Sequence, residues 1–504
     1  MVKPREVALK SVAYERGMGI ILAVFSLPSA HGIGSLGREA YRFIDFLKDS
    51  GMKYWQILPL GQTGYGDSPY SSFSSFAGNP YYIDLDLVRD QGLLTDEDLS
   101  SEDWGSDPTR VDYGCLYQNR IRLLHKAFLR SAGAFDDRLA DFIEENGWWL
   151  KDYALFMSIK DRLEGKAWMQ WPDSLKMRDR EILLRFEEDH RNRIDFYYFI
   201  QFLFYQQWKQ LKEYARRQGI IIIGDLPIYS AMDSADVWAN SNLFLLDEGL
   251  RAKAVAGVPP DAYSELGQNW GNPLYDWDRM EADGYRYWIN RVKWLNGLYD
   301  IIRLDHFIGF VHYWSIPAGE LTAKNGQWNP GPGLKLFRVL EAELGPLPFL
   351  LEDLGLLSDE VIELREQTGF PGMSVIQFAF GGEDSAYLPH NQDKRSSIYS
   401  STHDSSTLVG WWKDLDAYSR RYVSNYFGLR EEDDPIWGIL RGISASSAQL
   451  FLVQMQDLLG LDDRARINLP GTTGNNWQWR LLEGYDNEHL VGRLRELAGL
   501  YGRT

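Results

Sequence analysis

The chain predicts an α/β fold, a closed (β/α)8 barrel with inserted subdomains and no separate C-terminal β-sandwich, and three observations carry that expectation. Short apolar runs bounded by Gly, Pro or polar residues recur eight times. Amphipathic stretches that close on a glycine lie between several of them, and four of the runs end in a carboxylate. Continuous apolar strands flanked by helices belong to a parallel sheet covered on its outside, and eight of them favour a barrel over a doubly wound sheet. With 504 residues, 44% of them apolar, the chain can bury one large core with insertions.

The first run is GIILAVF (19–25). Together with SLPSA it imitates a secretory signal, but the preceding stretch is long and carries Glu6 and Glu15, so it reads as a strand. GIGSLG (32–37) matches a dinucleotide-loop pattern before the helix 37–51; SLPSAH intervenes, and a loop at the active end of a barrel explains the glycines equally well. The second run is YWQILPL (54–60). The distance from there to the third run is far longer than one crossover helix requires, so 85–200, rich in charge, Trp and Tyr, is expected to be a mostly helical inserted subdomain.

An amphipathic helix at 204–219 leads into the third run, GIIIIGDLPIY (219–229), and 227–298 forms a second inserted subdomain before the fourth, YDIIRLDHF (299–307). LPFLLEDLG (347–355), a helix at 358–369, GMSVIQFAF (372–380), SSIYSSTHD (396–404) and AQLFLVQMQD (448–457) complete the set. The charged REEDDP (430–435) is a solvated turn.

Bulk properties narrow the partners. Seventy-one acidic against 53 basic residues leave a net charge of −18, which disfavours nucleic acid and anionic membrane and favours a neutral or cationic ligand. Nineteen Trp, 28 Tyr and 24 Phe supply flat faces for packing and for stacking on ligands. The single cysteine, Cys115, rules out an internal disulfide framework and any Cys-based zinc site, so a reducing, cytoplasmic setting is expected. No run of 18 apolar residues exists to span a membrane.

In IIRLDHF alternate residues share a face, so Arg303 and Asp305 are neighbours. Asp225, Asp305, Glu352 and Asp404 each close a strand, and a parallel barrel gathers all strand C-termini at one face. Several carboxylates with His306 and His403 and no thiol suit retaining glycosyl transfer, in which one carboxylate attacks the anomeric carbon and another acid protonates the departing oxygen. Arg303 would keep Asp305 ionised as the nucleophile, whereas Glu352, set among Phe349, Leu350 and Leu351, would hold its proton. Asp404 beside His403 would hold sugar hydroxyls and the oxocarbenium-like charge. A metal-dependent hydrolase is the rival, but His31, His125, His190, His312, His390 and His489 form no closely spaced pair. A glucan-binding scaffold without catalysis would require a missing carboxylate.

GDSPYSSFSSFAGNPYYIDL (66–85), GDLPIYSAMDSADVWAN (224–240), VAGVPPDAYSELGQNWGNPLYDW (255–277), RLDHFIGF (303–310), LEDLG (351–355), STHDSSTLVGWW (401–412) and NLPGTTGNNWQWR (468–480) resemble the amylomaltase family of 4-alpha-glucanotransferases, within the alpha-amylase clan. The resemblance runs from about residue 17 to the C-terminus. It implies Asp305 as nucleophile, Glu352 as acid/base and Asp404 as transition-state stabiliser. It further implies that Arg303, His306, His403 and Asp225 serve the donor glucose, that Ser68 and Tyr70 line its wall, and that Asn476 binds substrate. The segment 255–270 would be a loop shaped by Gly257, Pro259 and Pro260, with Tyr263, Gln268 and Trp270 offered to a glucan chain. The implied partners are malto-oligosaccharides and starch- or glycogen-derived glucans; no metal or organic cofactor is implied.

Overall fold

The computed structural model describes residues 9, 12, 14–64, 66–261, 264–355 and 357–504. Its twelve strands are β1 (Gly17–Ile21), β2 (Tyr54–Gln56), β3 (Ile221–Leu226), β4 (Ala254–Val258), β5 (Gln268–Pro273), β6 (Ile301–Leu304), β7 (His312–Pro317), β8 (Gln327–Pro330), β9 (Phe349–Leu351), β10 (Gly372–Val375), β11 (Ser396–Tyr399) and β12 (Leu450–Gln454). Eight of them form one parallel sheet in the order β10-β11-β12-β1-β2-β3-β6-β9. Every run expected to be a barrel strand contributes one of these. The first and last strands pair directly, Gly17 opposite Leu450. The sheet nearly closes between β9 and β10, where the Leu351 N–H donates to Pro371 O at 2.8 Å.

The period of two along each strand builds the interior. Ile21, Tyr54, Ile223, Ile301, Leu350, Met373, Val375, Tyr399, Leu450 and Leu452 form an apolar cluster separate from the main core, as the filling of a barrel should. Two residues further along several of these strands, on the same face, stand Gln56, Asp225, Arg303, Glu352 and Gln454. The interior is thus apolar at depth and polar at the C-terminal rim. The opposite faces, including Phe349 and Leu351, pack under the surrounding helices.

Glycines stop the helices where expected. The helices Arg191–Gln218 and Asp359–Thr368 end on Gly219 and Gly369 in left-handed conformation. The former begins well before residue 204, because Phe196 to Phe204 are buried all round and leave no amphipathic period to see. The glycines of GIGSLG serve close packing: a Cβ on Gly34 would fall 1.9 Å from Val24 O. In REEDDP, Asp433 closes a turn on the Arg430 N–H and Asp434 caps the helix Pro435–Ser444.

Between β2 and β3 the chain is helical, dominated by Tyr113–Arg130, Asp136–Arg162 and Arg191–Gln218. The last of these fastens the segment that carries Tyr70. Buried Gln201 exchanges bonds with Gly78 N–H and O (2.8 and 2.9 Å), and Gln207 does the same with Asp84 (2.7 and 3.1 Å), each amide imitating a neighbouring strand. Losing one such amide would leave buried backbone groups unpaired at about 1–3 kcal/mol.

The segment 255–270 differs from the expected loop. Its ends are β4 and β5, an antiparallel pair in a second sheet of order β5-β4-β7-β8. Gly257 permits the pairing, since a Cβ there would stand 2.1 Å from Gln268 O. These strands are partly exposed and carry Gly and Asn, so they lack the alternation that marks a strand in sequence. Tyr263 lies outside the described residues.

Candidate active site

The rim of the barrel is organised by one arginine. Arg303, 2% exposed, donates from one terminal nitrogen to Asp225 Oδ2 at 2.6 Å and Asp305 Oδ1 at 3.3 Å. Its other terminal nitrogen is 2.9 Å from Glu352 Oε2. Register explains the reach: Arg303 sits opposite Asp225 on β3 and opposite Leu350 on β9, one pleat below Glu352. Backbone bonds continue past the strand ends, from Asp305 N–H to Leu226 O (3.2 Å) and from Glu352 N–H to Leu304 O (2.9 Å), so both carboxylates ride on rigid ladder.

His306 comes next with φ 51°, a left-handed value uncommon for a side-chain-bearing residue and typical of a constrained site. The turn aims its amide at Glu352 Oε2, 2.8 Å away. Its ring atom Nε2 and Asp225 Oδ1 are buried polar atoms without a hydrogen-bond partner among the described residues. Burial lowers the imidazole pKa, so the ring stays neutral. Buried polar atoms of this kind are normally satisfied by water or ligand.

The electrostatic tuning of the two carboxyls differs from the expected one. Glu352 is not in an apolar setting: against the cost of burial, Arg303 and the His306 amide hold its pKa below the usual value. Asp305 is pushed well above its usual value by burial and by the neighbouring Glu352, with Arg303 opposing. The two carboxyls are held on the two terminal nitrogens of one guanidinium, so the proton affinity of each depends on the other and they titrate as a pair. Their side chains remain 23% and 21% exposed, open to the cleft.

Asp404 sits on a different support. His403 Nε2 lies 3.2 Å from its Oδ2 and Asn468 Nδ2 donates to its Oδ1 at 2.6 Å. Against burial, those two partners, His403 foremost, take its pKa down to about 2. Arg466 fixes the backbone by donating to Asp404 O (2.7 Å) and Asn468 O (2.8 Å).

Tyr70 closes the wall between these groups. Its hydroxyl donates to Asp225 Oδ2 at 2.7 Å, and its ring stacks on His403 with centroids 5.2 Å apart at 17°. Trp477 stands 5.9 Å from both rings. Ser68 acts locally, its Oγ accepting the Tyr70 N–H at 3.3 Å. Trp270, 36% exposed, meets the His306 ring edge-on at 5.0 Å and donates to Gln268 Oε1 at 3.1 Å. Asn476, next to Trp477, shapes the 469–476 loop: its Oδ1 accepts the Leu469 N–H and its Nδ2 donates to Thr472.

Sequence reasoning missed Asn468, Arg466, Trp477 and Asp353. All but Arg466 lie within the stretches NLPGTTGNNWQWR and LEDLG, where Asp353 adjoins Glu352. Asp353, 2% exposed, accepts the Met373 N–H at 2.8 Å with one oxygen and Arg365 at 2.7 Å with the other. It thereby bridges the β9–β10 seam directly behind Glu352. Among the described residues no group of three or more His, Cys, Asp or Glu is placed to hold a metal ion.

Comparison with known proteins gives one answer. The family profile described as 4-alpha-glucanotransferase matches residues 22–484. A 4-alpha-glucanotransferase of Clostridium butyricum is 44% identical over 483 residues, 95% of this chain and 99% of that one. One from Streptococcus pneumoniae is 45% identical over 493 residues, 97% and 98% of the two chains. The solved amylomaltase of Streptococcus agalactiae in complex with acarbose superposes with a TM-score of 0.95 at 39% identity, covering 97% of this chain and all of that one. With strands, rim and similarity in agreement along nearly its whole length, the chain belongs to the 4-alpha-glucanotransferase family.

Proposed function

We propose that this 4-alpha-glucanotransferase works by double displacement on the Asp305–Glu352 pair, the observation that carries the reading being two cleft-facing carboxyls held side by side by one buried arginine, placed so that one proton can serve both. A malto-oligosaccharide enters with its scissile glucose between them and separates them toward the roughly 5 to 5.5 Å of a retaining site. Asp305, oriented by Arg303, attacks C1 as the anion. The bond from C1 to the 4-oxygen of the next glucose breaks, and Glu352 gives that oxygen the proton that the pair had shared. The reducing-end piece leaves, and a glucosyl ester remains on Asp305.

The 4-hydroxyl of a second glucan then attacks C1, Glu352 takes its proton, and the ester bond breaks to restore Asp305. Asp404, anionic throughout the working range, supports the positive charge that develops on the ring in both steps. His306 Nε2 and Asp225 Oδ1 supply polar atoms for donor hydroxyls. Tyr70, with His403 and Trp477, provides the aromatic wall, and Trp270 with Gln268 faces the chain from the second sheet. Malto-oligosaccharides and longer α-1,4-glucans are the substrates, and the insertions at 85–200 and 227–298 form subdomains that wall the cleft. None of these steps requires a metal or organic cofactor. The reducing setting suggested by the single cysteine fits the cytoplasm.

The test is incubation with maltotriose alone, with and without chelator, resolving products by size. Glucose plus a ladder of longer maltodextrins is expected in both, and its loss, with the fold intact, in Asp305→Asn and Glu352→Gln. Glucose and maltose without a ladder would replace transfer by hydrolysis, and full turnover in either folded variant would sink the assignment of roles.

A further inference from the structure

A cavity of about 280 Å³, with none of Asp305, Glu352 and Asp404 in its lining, lies between the helices Asp136–Arg162, Ala235–Ala239 and Arg286–Leu298. We propose that it is a second carbohydrate-binding site, one that holds a remote part of the glucan chain; this rests on the glucan specificity proposed above.

Its floor is apolar and aromatic, with Phe76, Trp149 and Tyr287 all under a tenth exposed. At its mouth stands Trp148, 48% exposed. That ring is fixed, edge-to-face, against Phe76 (4.8 Å) and Trp294 (6.2 Å), so it offers a pre-positioned surface and not a mobile one. Around it the Arg286 guanidinium and the side-chain amides of Asn242 and Asn290 line the cavity, and no described residue hydrogen-bonds to or ion-pairs with them. Asp283 contributes an acceptor beside Arg286.

The chemistry selects the ligand. A flat aromatic face suits the apolar face of a pyranose ring, and free donors and acceptors at the edge suit its hydroxyls. Of the lining carboxylates, Asp152 pairs with Arg178 at 2.6 Å, Asp283 accepts the Arg286 backbone N–H, and buried Asp236 accepts from Ser75 N–H and the Tyr287 hydroxyl, so none stands free for a cation, while the acids around the one lining guanidinium disfavour an anion. The volume lies just under the range usual for small-ligand sites, enough for a short stretch of sugar. The site also shares a wall with the catalytic rim: Tyr70 touches Asp225, while Ser74 and Phe76 of the same segment line this cavity.

Two variants test the inference, Trp148→Ala and the double variant Arg286→Ala/Asn290→Ala, the latter confined to the cavity rim so that the fold survives if Trp148→Ala fails to fold. The readouts are KM and kcat on maltotriose and on long amylose, and retardation of the protein in native gels containing amylopectin. Expected are an amylose KM and a gel dissociation constant raised about two- to tenfold, with maltotriose kinetics unchanged. Unchanged amylose KM and gel mobility in a folded variant would overturn the proposal, as would equal losses on both substrates. Failure of the wild type to disproportionate maltotriose would instead sink the activity itself, a different result from a variant that keeps its retardation.

Discussion

Asp353 gives the sharpest test of how the acid/base is held. It bridges the seam between the strand bearing Glu352 and β10, which the backbone bond from Leu351 N–H to Pro371 O also spans. Burial raises its pKa above the ordinary aspartate value, with the Met373 amide and Arg365 opposing. The charge is therefore a cost to the fold at neutral pH, and the useful feature is the acceptor. Asp353→Asn keeps an acceptor for Met373 N–H and should change stability by no more than about 1 kcal/mol. Asp353→Ala leaves a buried N–H unpaired and opens a gap beside Gly372, whose position sits against that carboxylate; the loss should be about 2 kcal/mol. Because Glu352 is the adjacent residue, a displacement of about 1 Å would cost on the order of 100-fold in kcat. Urea melts and maltotriose kinetics at one pH read both quantities. Equal damage from Asn and Ala would show that the Asp353 charge facing Arg365 matters and would refute the argument from the acceptor; wild-type kcat in the Ala variant would refute the link to Glu352.

Two further outcomes concern pH. The proposed passage of one proton between the pair predicts a bell-shaped kcat/KM profile: a second proton silences Asp305 on the acid side, and loss of the first silences Glu352 on the alkaline side. Because the Arg303 guanidinium favours both anions, Arg303→Met should move both limbs to higher pH and destabilise the fold by about 3–5 kcal/mol; unmoved limbs would contradict the proposed electrostatics. Asp457, fully buried, accepts from Ser400, Ser401 and Leu408 N–H, and burial pushes its pKa up to about 6 from an ordinary value of 3.8. The folded state thus keeps this proton after the unfolded chain has released it, so stability is lost as pH rises from about 4 to about 6, by about 3 kcal/mol in all. Asp457→Asn should raise the melting temperature at pH 7 and give no gain near pH 4; a pH-independent difference would count against it.

The strands of the barrel were legible because each is a short apolar run ended by a turn signal, and the rim because a period of two places Asp225, Arg303, Asp305 and Glu352 on the inner face. The coupling of the two carboxyls was not. Arg303 reaches Glu352 through strand register, Arg303 opposite Leu350, and nothing in the spacing of RLDHF and LEDLG encodes which strands are neighbours. Asn468, Arg466 and Trp477 come from an irregular loop, where no periodicity says which way a side chain points; Asn475 and Trp477 there even adopt positive φ. β7 and β8 are not legible because HYWSIP carries no clean alternation, with Ser315 and Ile316 buried side by side, and QWNP is short and mostly exposed.

The pairing of β1 with β12 bears on how the protein is made. Gly17 meets Leu450, and Arg503 near the C-terminus donates to Gly17 O at 3.3 Å, so the wall cannot be completed until almost the whole chain has left the ribosome. At about 5–20 residues per second, β1 waits roughly 20 to 90 seconds for its partner. Throughout that interval GIILAVF has one edge unpaired, and β2 alone is a partner of three residues. The nascent chain therefore spends longer exposed to mispairing than a protein of this size built from consecutive strands, and its yield in a cell should track the supply of chaperones that shield apolar segments more closely than its final stability.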